Sequence, residues 1–219
     1  MQKIMASPLL SGIFFFLGLS LTLALMAGAV LIDICVLSDT MGEDSVVENI
    51  QSVLLGGTSA LFIWNAVYHP AQRGFCLLVA GFFGSLLIRE SDGLFDLIHH
   101  GFWVYPALLV AFSAIFAARH YAGTTYQALS AFCQTRTFVL MAVGMGVVLV
   151  FSRLMGMGIL WQALMEEGYV RTVKNVVEEG TELAGYSFSF VSALIYSVKH
   201  AFGLSMQRDA LSLQHINHH

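Results

Sequence analysis

The chain has 219 residues, of which 57% are hydrophobic and only 11% charged; soluble domains carry about 25% charge, so the composition points to an integral membrane protein with the lipid bilayer as its main partner. Ten Lys and Arg against fourteen Asp and Glu give a formal charge of -4, which excludes the basic footprint of nucleic-acid binding. The three cysteines, Cys35, Cys76 and Cys133, stand far apart with no CxxC and no Cys/His spacing suited to zinc, so neither a disulfide framework nor a structural zinc site is expected.

A helix needs roughly 20 mostly apolar residues to cross about 30 Å of hydrocarbon. Taken in chain order, six segments meet that condition: 9–36, 50–69, 73–90, 102–119, 138–164 and 183–203. The expected fold is therefore all-α and polytopic, a single bundle of about six spans over residues 1–205 with short loops, followed by a polar tail over 206–219. Within the first segment Ala27-Gly28-Ala29 is compatible with signal-peptide cleavage. The apolar run continues to Val36, too long for an ordinary signal core, so the segment reads as a membrane helix. The second segment is apolar apart from small residues and Asn65, and the fifth contains Gly144, Gly146, Gly156 and Gly158, which suit close helix packing and assembly with a like or different membrane chain.

Lys and Arg are retained on the cytoplasmic side. With both termini inside, the inner face receives Lys3, Arg73, Arg119, Arg136, Lys199 and Arg208, and the outer face Arg89, Arg171 and Lys174. That bias places both termini in the cytoplasm and, in a cell with a periplasm, the protein in the inner membrane. Asp209 is then the one cytoplasmic acid, and the outer face is strongly acidic.

Two outer stretches carry the chemistry. The first reads RESDGLFDLIHHGFW, from Arg89 to Trp103. Continued as a helix, it sets Asp92, Asp96, His99 and Trp103 along one face, and the short third and fourth segments draw Glu90, His99 and His100 towards the hydrocarbon boundary, where ionisable groups call for partners. The second, from Arg171 to Tyr186, sets Glu178, Glu182 and Tyr186 at helical spacing, with Lys174 able to pair with Glu178. Glu48 begins the second segment at the same level, Asp33 sits near the outer end of the first, and Arg153 lies well inside the fifth. Oxygen and imidazole ligands from several helices suit a hard or borderline divalent ion. The expected ligands are Asp92, Asp96, His99, Glu178 and Glu182, supported by Glu48, Glu90, His100, Arg153 and Tyr186.

Other membrane chemistries lack their residues. Transmembrane haem wants histidines in mid-span, a thiol oxidase wants cysteine pairs, and a rhomboid-type protease wants a Gly-x-Ser-Gly run; flavin and nucleotide motifs are absent too. Glu178-Glu179 lacks the Arg that would follow in an intramembrane CAAX-type protease. His69 and His120 read as interfacial anchors, Trp64, Trp103 and Trp161 as aromatic-belt residues, and His215, His218 and His219 as part of a polar tail. The sequence thus predicts a multi-pass protein with an extracytoplasmic carboxylate and histidine cluster for a divalent cation or a cationic or protonatable ligand. In a transporter this cluster binds cargo; in a hydrolase a metal-activated water does the work. The alternative is a structural or sensory subunit whose acids solvate the outer face.

Overall fold

The structure, a computed structural model, describes the backbone of residues 8–36 and 45–216 and the side chains of 9–36 and 45–201. Lys3, Asp39, Glu43, Asp44, His218 and His219 lie outside the described residues, as do the side chains of Arg208, Asp209 and His215. The described residues are all-helical: α1 (Pro8–Leu31) with a π-helical extension (Ile32–Val36), α2 (Val46–Tyr68), α3 (Arg73–Glu90), α4 (Asp92–Asp96), α5 (Val104–His120), α6 (Ala122–Cys133), α7 (Arg136–Gly146) with a π segment (Val147–Ser152), α8 (Arg153–Met155), α9 (Gly158–Met165) and α10 (Arg171–Ile216). Four helical stretches are long and apolar enough to cross a membrane: Leu9–Val36, Val46–Tyr68, Pro70–Glu90 and Arg136–Met155. The pair α5 and α6, bent by 100°, makes a fifth if it is one span.

The helices form two compact units, residues 1–49 with 147–184 and residues 50–146 with 185–219. In the first, α1 exposes most of its apolar surface and buries Met26, Ala29 and Asp33, which recur at i, i+3 and i+7 and so share one face. Helix α10 approaches that face at Gly180, where an added Cβ would lie 3.7 Å from the Val30 side chain.

The second unit is organised around residues 185–201 of α10. Tyr186, Ser187, Ser189, Ser192, Ala193, Tyr196 and Ser197 are all buried. Ser192 donates to the Thr137 carbonyl of α7 (2.7 Å), and the Asn65 amide of α2 donates to the Ser197 hydroxyl (2.7 Å). A Cβ at Gly144 would lie 2.6 Å from the Gly185 carbonyl oxygen, and one at Gly57 would lie 2.8 Å from the Phe190 ring. Small residues let these backbones approach, and serine hydroxyls bond across the seams. A helix that buries its polar side chains among its neighbours need not be apolar throughout, which is why this segment is less apolar than the other long helices.

The structure departs from the expected spans at two places. Residues 138–164 are not one helix: the chain breaks between α8 and α9, with Met157 extended (φ -73°, ψ 107°) between Gly156 and Gly158. A side chain at Gly156 would collide with the Glu178 carboxylate, so glycine is what allows this approach, and the Trp161 indole N–H closes the break by donating to the Met155 carbonyl (2.5 Å). Trp161 therefore serves a helix end. Residues 122–133, expected as a loop, form α6, which packs Ala128 and Phe132 inward while Tyr126 and Leu129 stay exposed. Its seat is Gly74 at the start of α3, where a Cβ would strike Thr125 and Tyr121.

Candidate functional site

In the first unit the polar groups are held by α1, α2, α8 and α10. Both π segments lie here, and an extra residue per turn re-aims the side chains that follow. The first carries Asp33, fully buried, whose two carboxylate oxygens accept the N–H groups of Val46 (2.9 Å) and Val47 (2.8 Å). Those are orphan donors at the start of α2. Ser45 caps the same turn, accepting from the Glu48 N–H (3.1 Å), and Glu48 three residues on completes the S-x-x-E pattern of a capping box. This cap starts α2 before the expected residue 50.

The second π segment ends at Ser152 and delivers Arg153 to Glu182. Ser152 shares its hydroxyl proton between the Val148 carbonyl (2.6 Å) and Glu182 Oε1 (3.0 Å), while the Arg153 guanidinium forms an ion pair with the same carboxylate. The pair is asymmetric: the Glu182 side chain is 3% exposed and that of Arg153 44%. One turn earlier on α10, Glu178 pairs with Lys174 at 2.6 Å and lies against Gly156. Two carboxylates are thus matched by two cations.

In the second unit Glu90, at the end of α3, accepts from the Tyr186 hydroxyl (3.2 Å) and lies 3.6 Å from Arg89. The face expected to join Asp92, Asp96, His99 and Trp103 does not form, because α4 ends at Asp96 and the chain leaves helical register before His99. Gly93 within this five-residue helix and Gly101 after it, with φ of +79°, mark a segment of turns. Asp92, Asp96, His99 and His100 are exposed. Asp96 pairs with His100 (2.8 Å) and accepts from the Gly101 N–H (2.9 Å); that backbone bond first, and the imidazole second, hold its carboxyl below the ordinary carboxylate value. Among the described residues, no set of three ligating side chains close enough for one ion includes Asp92, Asp96 or His99.

The opposite end of the second unit holds a group of which the sequence reading singled out His69 alone, as an interfacial anchor. His69 and His200 face each other with ring centroids 5.3 Å apart, and Tyr196 lies 4.4 Å from His200. Burial holds His69 below the ordinary histidine value. Gln72 bonds both His200 Nδ1 (3.3 Å) and the Tyr196 hydroxyl. Phe62, Phe75 and Phe132 surround the Tyr196 ring at 5.5, 6.1 and 5.3 Å. One signal for it was available: Tyr196 and His200 sit at i and i+4, on the same face as buried Ser189, Ser192 and Ala193.

No protein-family model, curated protein or solved structure matches the chain.

Proposed function

We propose that the chain is a six-span integral membrane protein of the cell (inner) membrane, with both termini cytoplasmic, whose acidic end faces outward and binds a cation by exchange. The four long apolar helices and α5, together with residues 183–203 of α10, supply the crossings. Helix α6, bent 100° from α5, lies along the inner surface. The carrying observation is the Arg153–Glu182 pair: a buried carboxylate held by an arginine that is half in solvent. A divalent ion or an organic cation takes the carboxylates of Glu182 and Glu178, and Arg153 and Lys174 turn outward into water. Exposed Asp92, Asp96 and His99 draw cations to this face rather than holding them.

A second reading is a non-enzymatic structural or sensory subunit. Its supporting observation is that Glu182, Glu178 and Asp33 already have partners of their own, as a self-compensated scaffold requires.

Melting of the purified full chain in detergent with Mg²⁺, Mn²⁺ or guanidinium added separates the two. Under the exchange reading the midpoint rises with the logarithm of free cation above its dissociation constant, and Glu182→Gln abolishes the rise. No response to any of these cations favours the scaffold. Orientation is tested by single-cysteine labelling in intact cells. An outside reagent reaches Ser45→Cys or Gly168→Cys but not Thr125→Cys or Ser212→Cys, and labelling at Thr125 overturns the topology.

A further inference from the structure

Helix α6 sorts its residues into three faces. Tyr121, Thr125, Ala128 and Phe132 fall on one arc by helical spacing, and Ala128 and Phe132 are buried within the second unit. Ala122, Tyr126, Leu129 and Cys133 recur at i, i+4, i+7 and i+11 on a second arc, all exposed, Tyr126 to 77%. Gly123, Gln127, Ser130 and Gln134 recur at the same spacing on a third arc, also exposed. A helix in water needs one apolar arc. A helix lying at a membrane boundary meets protein, hydrocarbon and water on three sides, and buries its apolar face at the level where headgroups meet acyl chains. The 100° bend between α5 and α6 turns α6 towards the bilayer plane if α5 crosses it.

Cations stand at both ends of α6. Arg119 and His120 close α5 just before it, and Arg73, at the start of α3, lays its guanidinium over the Tyr121 ring at 5.8 Å. Its Nε donates to the Ala66 carbonyl (3.0 Å), which fixes the group with one of its five N–H donors. Arg136 opens α7 just beyond the other end, and Lys199 lies about one turn along α10 from Tyr196, whose ring packs on Phe132 at 5.3 Å. Arg119, Arg136 and Lys199 are exposed. Among the described residues none of these four cations is in an ion pair. The described acids of this unit, Glu90, Asp92 and Asp96, lie at or beyond the far end of α3, about 26 Å from Arg73 at 1.5 Å per residue.

We propose that this end of the second unit is a binding surface for anionic phospholipid. The arc of Tyr126, Leu129 and Cys133 enters the acyl boundary, and Arg73, Arg119, Arg136 and Lys199 take the headgroup phosphates of lipids gathered along α6. This rests on the reading of the chain as membrane-spanning and adds the class of lipid. Every phospholipid carries a phosphate, but a zwitterionic headgroup also carries a cation, for which this end offers no described carboxylate. A net-negative headgroup meets no such mismatch. The apolar arc beside the cations selects a lipid over a soluble anion, which has nothing to place there.

The test reads lipid identity beside α6 in the full chain. With Cys35→Ser, Cys133 is the exposed thiol and Cys76 is buried, so a fluorophore is placed on Cys133. The chain is reconstituted in bilayers of phosphatidylcholine and phosphatidylglycerol at one fixed ratio, with bromine, a contact quencher, in the acyl chains of either lipid. Brominated phosphatidylglycerol should quench as though enriched about fivefold, the effect of one cation near an anionic surface. The pair Arg136→Gln and Lys199→Gln, both at exposed positions, should bring the two lipids to parity while quenching with both lipids brominated stays the same. A fluorophore on Leu97→Cys, at the acidic end, with Cys35 and Cys133 replaced by Ser, should show no enrichment of phosphatidylglycerol. Both leaflets share one composition, so the direction of insertion does not affect the result. Equal quenching by the two lipids at Cys133 overturns the proposal and leaves the spans standing. No quenching at Cys133 by either lipid, while a fluorophore on Phe112→Cys in mid-α5 is quenched, removes α6 from the boundary and overturns it too. Loss of the enrichment to inorganic phosphate, beyond that to chloride at equal ionic strength, marks a free-anion site and overturns the lipid assignment. A chain that fails to float with vesicles overturns the spans and this proposal together.

Discussion

The asymmetry of the Arg153–Glu182 pair sets up the sharpest stability prediction. Removing either partner breaks the same ion pair, but the orphans differ: Arg153, with its side chain 44% exposed, can turn into water, whereas Glu182, at 3%, cannot. Glu182→Gln keeps an acceptor for Ser152 and costs about 1 kcal/mol, the net value of one ordinary hydrogen bond. Arg153→Met leaves a buried carboxylate alone, for which breaking a buried pair costs about 3–5 kcal/mol. The carboxyl escapes by taking a proton. For a group that titrates near 4.3 when free, that costs about 3.7 kcal/mol at pH 7 and about 1 kcal/mol at pH 5. The folded variant then binds a proton that the unfolded chain lacks, so its stability falls as pH rises between those values. The Arg153→Met penalty should therefore grow by about 2.7 kcal/mol from pH 5 to pH 7. Equilibrium unfolding of the detergent-solubilised chain measures it, and the double variant should resemble Glu182→Gln alone. Equal costs for the two single variants, or a penalty for Arg153→Met that does not change with pH, would refute the reasoning.

Gly144→Ala should destabilise by about 1–3 kcal/mol, since its methyl would lie 2.6 Å from the Gly185 carbonyl oxygen, whereas Gly146→Ala, with nothing within 4 Å, should not; thermal melts of the two compare directly. Asp33→Asn should cost about 1–2 kcal/mol, because an amide can satisfy only one of the two N–H groups the carboxylate accepts, and hydrogen exchange at Val46 and Val47 should accelerate. The turn at Asp96 should loosen on acidification. Its carboxyl is held down by the Gly101 N–H and His100, so the bond is intact above the ordinary carboxylate value and lost as pH falls through the lower folded value, with exchange of the Gly101 amide as the readout.

What the sequence made legible was whatever depends on one helix at a time. The ends of α3 match the expected 73–90, because Pro70 and the turn at Ser91 punctuate an unbroken apolar run. The Lys174–Glu178 pair follows from spacing alone. Where a second segment decides the outcome, pattern fell short. Asp33 looks like one more acid near a membrane surface until Val46 and Val47, 13 and 14 positions on, bring their N–H groups to it. The break at Gly156 is invisible until Glu178 occupies the space that a side chain would need. The extension of a helix through His99 failed for a local reason, as Gly93, Gly101 and the bonds made by Asp96 favour turns.

The same distinction explains why the histidine group was the hardest to read. Hydropathy assigns His69 and His200 to the C-terminal ends of separate segments, 131 positions apart by subtraction of their numbers, and each alone is an ordinary interfacial residue. Their meeting depends on Gln72, whose one side chain must accept from Tyr196 and donate to His200 at once. Buried polar networks are costly when any member is left unsatisfied, so such a chain either closes completely or is replaced by apolar packing. Here it closes beside four aromatic rings, at the point where α2 turns into α3 and α10 crosses both. One side chain, Gln72, therefore ties the turn between α2 and α3 to α10.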